Sequence, residues 1–349
     1  MKSSNLRLLI LLLSLIIVSS CKNSIKTAQL TTFSGTIKNN ATNEVRLESN
    51  DTIYKSSVDD NGFFKIQIVQ EKDEIFTYTG NEFTSIHLSP GDSVHLSVDS
   101  KNWRTFDKTL TFSGNGSAKN NYFFRKSLIQ HHLNNHIEKV LFKKSELNFI
   151  NSIDSIYLIL HNHFKNFQTN NPKSSYSLLE YESESIDYLK QISIIQYYFR
   201  NKNRGQQQKI SKKAKSIIKK IDLNKVQHIN LQSYNDLITE YFNYLQIQNS
   251  DVTNEVKTLS TTLINIDRLV ENSKLKSNLA QYFIRKHLLS NHLDSSFFNS
   301  IKNQITKESY TMFKSIYNIE KPLAVGDKAP DFLLYDKNES VYTLEDFKG

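Results

Sequence analysis

Cysteine is the chemically most informative residue type here, because it occurs only once in the 349 residues, at Cys21. A disulfide bridge needs two thiols, so this polypeptide can form no intrachain bridge and run no dithiol exchange by itself. Residues 117–320 contain no glycine-rich phosphate loop, no catalytic serine elbow and no acid pair in a recognisable frame. The motifs therefore predict no catalytic, no cofactor-binding and no metal-binding residue.

The spacing that comes nearest to a metal site is that of His132 and His136. Two histidines four residues apart on a helix are a zinc-binding pattern, but Leu133 stands where zinc proteases of that type carry a general-base glutamate. His131, His161 and His163 are close in sequence and leave a structural or adventitious metal site as the alternative. We interpret these histidines as solvent-facing side chains on a polar helix surface.

A second chemically suggestive pattern is a run of six lysines. The run consists of Lys209, Lys212, Lys213, Lys215, Lys219 and Lys220. Such a run can contact anionic lipid or an acidic partner, but a solvated helix face accounts for it equally well, and we favour that interpretation. The formal net charge of +9 is modest for a chain of this length, and we expect no nucleic-acid partner.

The N-terminus is typical of an export signal. Lys2 and Arg7 precede an apolar run, Leu8–Val18, that is interrupted only by Ser14. A run of this length is shorter than the roughly 20 residues that a permanent membrane-spanning helix needs. The following Val18–Cys21, with the letters VSSC, resembles the bacterial lipobox, in which an aliphatic and two small residues precede the lipidated cysteine.

The lipobox resemblance implies cleavage before Cys21 and transfer of diacylglyceryl to its sulfur. We therefore expect a signal peptide at 1–20, a lipid-anchored tether at 21–29 and Cys21 as the lipidation site, with palmitate among its acyl chains. Two or more acyl chains are needed for stable anchoring. The chain would then be held to an inner or outer bacterial membrane in the cell envelope, with membrane lipid as its partner; an ordinary secretory signal is the alternative.

Residues 30–116 alternate with a period of two, as half-buried strands do. Phe64, Ile66 and Ile68 alternate with Lys65 and Gln67. Asp59–Gly62 and Pro90–Asp92 supply turn residues. The pattern predicts an antiparallel β-sandwich-like module with eight strands, near 34–37, 45–47, 53–57, 64–68, 75–78, 85–88, 94–98 and 110–112.

Four phrases in this module resemble those of a β-domain that commonly precedes the thioredoxin domain in membrane-attached proteins of the TlpA-like group. They are Ser34–Ile37 (SGTI), Asn61–Phe64 (NGFF), Leu88–Val94 (LSPGDSV) and Phe112–Gly116 (FSGNG). The resemblance supplies no catalytic residue for this module. It implies a role in spacing or in partner contact, and a sandwich with a purely structural role is the alternative.

Beyond Gly116 the apolar residues recur at helical spacing, which predicts an all-α helical module over 117–320. In the clearest stripe, Phe149, Ile153, Ile156, Leu160 and Phe164 follow one another by three or four residues. Further stripes cover 122–141, 178–199, 229–247, 256–270 and 279–289, with breaks at 170–172, around Gly205 and at 249–251.

Residues 323–349 change character again. Val325–Leu334, with the letters VGDKAPDFLL, resembles the opening segment of TlpA-like and peroxiredoxin-like thioredoxin folds, and Leu344–Gly349 (LEDFKG) resembles the segment that leads into their first central strand. Thr343 and Asp346 have the spacing of an acidic capping box. We expect an incomplete thioredoxin-like stub, because intact relatives continue into a Trp-Cys-x-x-Cys turn that these residues do not contain.

The predicted fold class is therefore α+β, with a sandwich-like module, a helical module and the stub. The resemblance predicts an envelope-facing lipoprotein of the TlpA-like thiol-disulfide oxidoreductase family, acting on protein thiols or disulfides where the full domain exists. We expect these 349 residues to be inactive as written, through a coding sequence cut short, a premature stop or a genuinely shortened protein. The alternatives are a fragment of a peroxiredoxin-like thiol peroxidase and a non-catalytic binding or scaffold lipoprotein.

Overall fold

The computed structural model describes residues 28–49, 52–172, 176–203, 210–248, 255–290, 297–323, 326, 329, 331–335 and 340–347. The fold is mixed α+β, with sheets in the N-terminal part followed by a helical region, as predicted. Within the described residues no helix combines the length and the apolar character that crossing a membrane requires.

Eight strands form the N-terminal sheets, and each overlaps one of the predicted strands. Phe64, Ile66 and Ile68 are buried while Lys65 and Gln67 are exposed, so the predicted alternation is confirmed. The strands are β1 Gln29–Lys38, β2 Glu44–Glu48, β3 Ile53–Ser57, β4 Phe63–Gln70, β5 Glu74–Thr79, β6 Phe83–Leu88, β7 Ser93–Asp99 and β8 Thr111–Asn115.

The strands form two four-stranded sheets, ordered β4-β1-β7-β8 and β3-β2-β5-β6. The prediction of a purely antiparallel module was wrong at one pair, because β1 and β7 run parallel. Between them the chain forms β2 and β3 of the second sheet, returns to the first as β4, and crosses again through β5 and β6 before β7, and crossovers of this kind allow parallel pairing. All other strand pairs of the two sheets are antiparallel.

The inward faces of both sheets share one hydrophobic core. Phe33 of the first sheet lies with its ring centroid 5.9 Å from that of Tyr78 of the second, and Phe64 stacks on the same tyrosine. Burial raises the pKa of Tyr78 well above its ordinary value. The two sheets therefore pack as a sandwich, in which aromatic side chains fill the space between the layers.

Ten helices are described. The first, α1 Trp103–Thr109, was not predicted; Asn102 caps it by accepting a hydrogen bond from the Thr105 amide, and only Phe106 of its residues is buried. The others are α2 Ser117–Lys139, α3 Glu146–Asn170, α4 Glu182–Asn203, α5 Lys212–Ile218, α6 Gln232–Gln248, α7 Glu255–Leu269, α8 Ser273–Ser290, α9 Phe297–Ile301 and α10 Lys307–Glu320.

The contacts divide the chain into two compact units. The first contains the sandwich, α1, α2 as far as His136, and residues Leu158–Ser183. The second contains Ile137–Tyr157 and the residues from Glu184 onward. Both α2 and α3 therefore contribute to two units, which no periodicity in the sequence had indicated.

The second unit has a core rich in tyrosine. Tyr197 stacks on Phe149 with ring centroids 4.3 Å apart, and its hydroxyl donates to the Lys144 carbonyl at 2.8 Å. The hydroxyls of Tyr157 and Ser193 lie 2.8 Å apart. These rings supply buried apolar area while their hydroxyls are hydrogen bonded, which is the usual requirement for tyrosine in a core.

Candidate functional site

The phrases that carry the sequence resemblance meet in pairs. Ser34–Ile37 meets Asn61–Phe64, where the Ile37 amide donates to the Gly62 carbonyl at 2.9 Å. A Cβ atom on Gly35 would collide with the Phe64 ring, and Gly62 has a φ of +77° beside Ile37. Both glycines are therefore required by the contact between the two phrases.

The second pair joins the turn Ser89–Asp92 to the end of β8. Asp92 accepts a hydrogen bond from the Ser89 amide at 2.7 Å, which closes the turn on itself. Gly116 has a φ of +90°, and a Cβ atom there would lie 2.5 Å from the Asp92 carboxylate. Gly116 therefore leaves room for that carboxylate immediately before α2 begins at Ser117.

A buried ion pair links this turn to the first turn of α2. The Lys119 ammonium lies 2.5 Å from Asp92 and 2.7 Å from the Ser89 hydroxyl, and the lysine and aspartate side chains are only 6% and 8% exposed. The same ammonium lies 4.9 Å from the centre of the Tyr176 ring. Buried charges are costly unless they are paired and hydrogen bonded, and Lys119 meets both conditions.

Two consecutive asparagines of α2 each bind the backbone of an edge strand. Asn120 accepts from the His87 amide and donates to the His87 carbonyl, both at 2.8 Å. Asn121 makes the same pair of bonds with Phe112, at 3.0 and 2.8 Å. A side-chain amide has the donor and acceptor of a peptide group, so each asparagine takes the place of a missing neighbouring strand, one on each sheet.

The His87 side chain is enclosed by aromatic rings. Its Nδ1 lies 3.0 Å from the Tyr176 hydroxyl, and the Phe123 ring stacks on it with centroids 4.1 Å apart. Burial, with the positive charges of Lys119 and Lys126, lowers the pKa of His87 to about 3. Burial, together with nearby carboxylates, raises the pKa of Tyr176. Both side chains are therefore neutral at physiological pH, and the histidine is shielded from solvent.

A second buried ion pair lies further along α2. Lys126 and Glu182 are 2.6 Å apart, and Glu182 also accepts a hydrogen bond from the Tyr122 hydroxyl at 2.6 Å. Burial and the Glu182 charge raise the pKa of Tyr122. The carboxylate therefore has two strong donors, which compensates for its removal from water.

We call His87, Asp92, Lys119, Asn120, Asn121 and Tyr176 the junction network. Its side chains are joined to one another, to the Ser89 hydroxyl and to strand backbone, and its one histidine is buried and neutral. A general base must be able to reach a substrate proton, which His87 in this enclosure cannot do. The arrangement is suited to fixing α2 against both sheets and not to chemistry.

The predicted lipidation site, Cys21, lies outside the described residues, as does the predicted signal peptide at 1–20. Of the histidines considered as metal ligands, His131, His132 and His136 are exposed. His163 stacks on the Tyr122 ring at 4.9 Å. Within the described part of the chain there is no group of three or more side chains that could hold a metal ion.

The lysines of the predicted run are exposed at Lys212, Lys213, Lys215, Lys219 and Lys220. Lys209, the first lysine of the run, lies outside the described residues. The residues of the run that are described belong to α5 and to the two residues after it.

The C-terminal hairpin pairs β9 Leu333–Tyr335 with β10 Val341–Thr343 in antiparallel fashion. The Asp346 carboxylate accepts from the Thr343 amide at 2.7 Å, so the predicted pairing of these two residues is confirmed. This hydrogen bond, with one from the Thr343 hydroxyl, lowers the pKa of Asp346. Apolar side chains of the hairpin remain exposed, at Leu333, Leu334, Val341 and Phe347.

No family model, curated protein or solved structure matches the chain. The role of the junction network therefore has to be inferred from its residues. Sequence reasoning had missed the network, and no spacing along α2 distinguishes Lys119, Asn120 and Lys126 from polar residues that face solvent.

Proposed function

We propose that these residues form the lipid-anchored, non-catalytic part of an envelope thiol-disulfide oxidoreductase of the TlpA-like group. The observation that carries the proposal is the C-terminal segment, where the VGDKAPDFLL phrase runs into the first strand of a hairpin with exposed apolar side chains and the LEDFKG phrase follows its second strand. Residues 323–349 would be the opening of a thioredoxin-like domain. Leu333, Leu334, Val341 and Phe347 would then pack on strands and helices that lie beyond them.

Within this proposal the redox step belongs to a Cys-x-x-Cys pair outside the 349 residues, because these contain only Cys21. The likeness of the four phrases to a domain that precedes thioredoxin domains agrees with this arrangement. The junction network supports a structural role for the sandwich, since it fixes α2 to both sheets through hydrogen bonds and a buried ion pair.

The satisfied junction network also favours a second candidate, a non-catalytic lipoprotein that binds or spaces envelope components. A peroxiredoxin-like peroxidase shares the Ala329–Phe332 motif (APDF) and differs downstream, where a Pro-x-x-x-Thr/Ser-x-x-Cys loop replaces Trp-Cys-x-x-Cys. The three candidates therefore differ in what the source gene encodes after codon 349.

The test is to read the source gene beyond codon 349 and to assay the protein that it encodes for reduction of insulin disulfides. An open frame that continues into a Cys-x-x-Cys turn, with activity that a Cys-to-Ser change in that turn abolishes, is the expected result. A peroxidatic loop would establish the peroxidase candidate. A stop codon after Gly349, with no insulin reduction, would overturn the redox proposal in favour of the scaffold.

The anchor is tested separately by labelling cells with radioactive palmitate. The wild-type chain is expected to incorporate label and to partition into detergent, whereas Cys21→Ser is expected to do neither. Label retained by Cys21→Ser would contradict the assignment of Cys21 as the lipidation site.

A further inference from the structure

Helix α5, Lys212–Ile218, has one apolar side and one basic side. Ala214 and Ile218 are buried, and because they are four residues apart they lie on the same face of the helix. Lys212, Lys215 and Lys219 follow one another by three and four residues on a different face, and all three are exposed. We call these three residues the lysine stripe; it spans about 10 Å along the helix axis.

Few carboxylates lie near the stripe. The segment 210–221 contains no acidic residue, Asp222 follows it, and Glu146 accepts a hydrogen bond from the Ser211 amide at 3.0 Å. Lys213 lies 3.4 Å from Asp154, but that carboxylate also binds Lys190 at 2.8 Å. Among the described residues, the three lysines of the stripe contact no carboxylate, so their charges face solvent.

We propose that the lysine stripe docks onto the phosphate groups of anionic membrane lipids. This inference rests on the proposed anchor, because a lipid on Cys21 would keep the chain close to a bilayer surface. Attraction to an anionic surface acts only within about one Debye length, roughly 10 Å at 0.1 M salt. An anchor keeps the chain at a high effective concentration near the surface, so three lysines can favour orientations in which the stripe comes within this distance, without a separate step of diffusion to the membrane.

The experiment compares sedimentation of the full chain with vesicles of phosphatidylcholine alone and with vesicles that also contain phosphatidylglycerol, at low and high salt. The acylated protein and its Cys21→Ser form are both measured. The stripe is removed by combining Lys212→Gln, Lys215→Gln and Lys219→Gln, which preserve helix propensity. The matched control removes three exposed lysines of the first unit, through Lys65→Gln, Lys72→Gln and Lys108→Gln.

The preference for phosphatidylglycerol is the ratio of the affinity for vesicles that contain it to the affinity for phosphatidylcholine vesicles. At low salt we expect this ratio to fall roughly 30- to 100-fold in the stripe variant and to change little in the control. The preference should weaken in high salt. Equal losses in the two triple variants would overturn the proposal, because net charge alone would then explain binding. Binding to polyglutamate without any preference for phosphatidylglycerol would also overturn it, in favour of an acidic protein partner.

The experiment distinguishes an absence of acylation at Cys21 from an absence of lipid binding by the lysine stripe. If Cys21 is not acylated, wild type and Cys21→Ser bind phosphatidylcholine vesicles equally, whereas the stripe is measured by the difference between the two vesicle types. Circular dichroism of each variant identifies any loss of helix. A folded stripe variant that keeps the difference between the two vesicle types therefore contradicts the lipid proposal, whether or not Cys21 is acylated.

Discussion

The junction network and the C-terminal hairpin are both marked by short phrases in the sequence, yet their side chains are used in opposite ways. In the network the phrases contact one another, and Asp92, Lys119 and Asn120 are buried with their partners. In the hairpin the local hydrogen bonds are formed, but Leu333 and Phe347 are 64% and 62% exposed. The comparison teaches that a short sequence phrase can mark a buried contact or a hairpin whose apolar side chains stay at the surface.

The largest effect should come from removing one charge of the buried ion pair. Asp92→Asn leaves the Lys119 charge without its counter-ion, and we expect the free energy of unfolding to fall by about 3–5 kcal/mol in urea denaturation. Adding Lys119→Met should restore part of the loss. As a control, Glu138→Gln breaks an exposed pair with Arg200 and should cost less than about 1 kcal/mol. Similar losses for Asp92→Asn and Glu138→Gln would contradict the role assigned to the network.

The two asparagines provide a graded test of the same region. Asn120→Ala leaves the buried His87 amide and carbonyl unpaired, so we expect a loss of about 2–4 kcal/mol, whereas Asn121→Ala at a half-buried position should cost about 1–2 kcal/mol because water replaces it. Amide exchange at His87 should quicken in Asn120→Ala only. If both variants are as stable as wild type, the asparagines do not replace a strand.

The stability of the network should also depend on pH. The pKa of His87 is about 3 in the folded chain, against an ordinary value of 6.5, so the unfolded chain binds the extra proton between these values. Stability is therefore complete above pH 6.5 and falls as the pH decreases toward 3, by about 2 kcal/mol on reaching about pH 5. The double variant His87→Phe, Tyr176→Phe should lack this decrease in the free energy of unfolding between pH 6.5 and pH 5. If the double variant shows the same decrease as wild type, groups other than His87 cause it.

One buried side chain of the sandwich departs from this pattern of satisfied polar groups. Gln70 is 4% exposed, and among the described residues neither atom of its amide meets a hydrogen-bond partner. Gln70→Met, which keeps the side-chain shape, should stabilise the chain by about 1–2 kcal/mol. Gln67→Met, on the exposed face of β4, is the control and should change stability by less than about 0.5 kcal/mol. A destabilising effect of Gln70→Met would indicate a bound water or another partner for the amide.

The smallest effect is expected in the hairpin. Asp346→Ala removes the acceptor of the Thr343 amide, so exchange of that amide should become several-fold faster. The midpoint of global unfolding should stay unchanged, since the hairpin buries little apolar surface. A shift of the midpoint would show that the hairpin belongs to a cooperative core, and the contrast with the junction network would disappear.

Local patterns in the sequence were sufficient to predict the strands, six of the helices and the Thr343–Asp346 pairing, because period-two and helical spacing reflect which side of an element is buried. The short helix α1 was missed because it buries only Phe106 and so has no stripe. The parallel pairing of β1 with β7 was missed because strand direction depends on the route of the chain between sheets and leaves no mark on the alternation.

By itself, the sequence determined that these residues hold a single thiol and therefore no dithiol chemistry, that a strand-rich part precedes a helical part, and that each of the four phrases of the strand-rich part contains glycine. Only the tertiary structure decided why those glycines are needed and what Lys119, Asn120 and Asn121 do. Their partners lie 9 to 33 residues away in sequence. Whether a polar residue on a helix faces water or a buried partner is decided by what packs against that helix, and spacing along a single element does not contain that information.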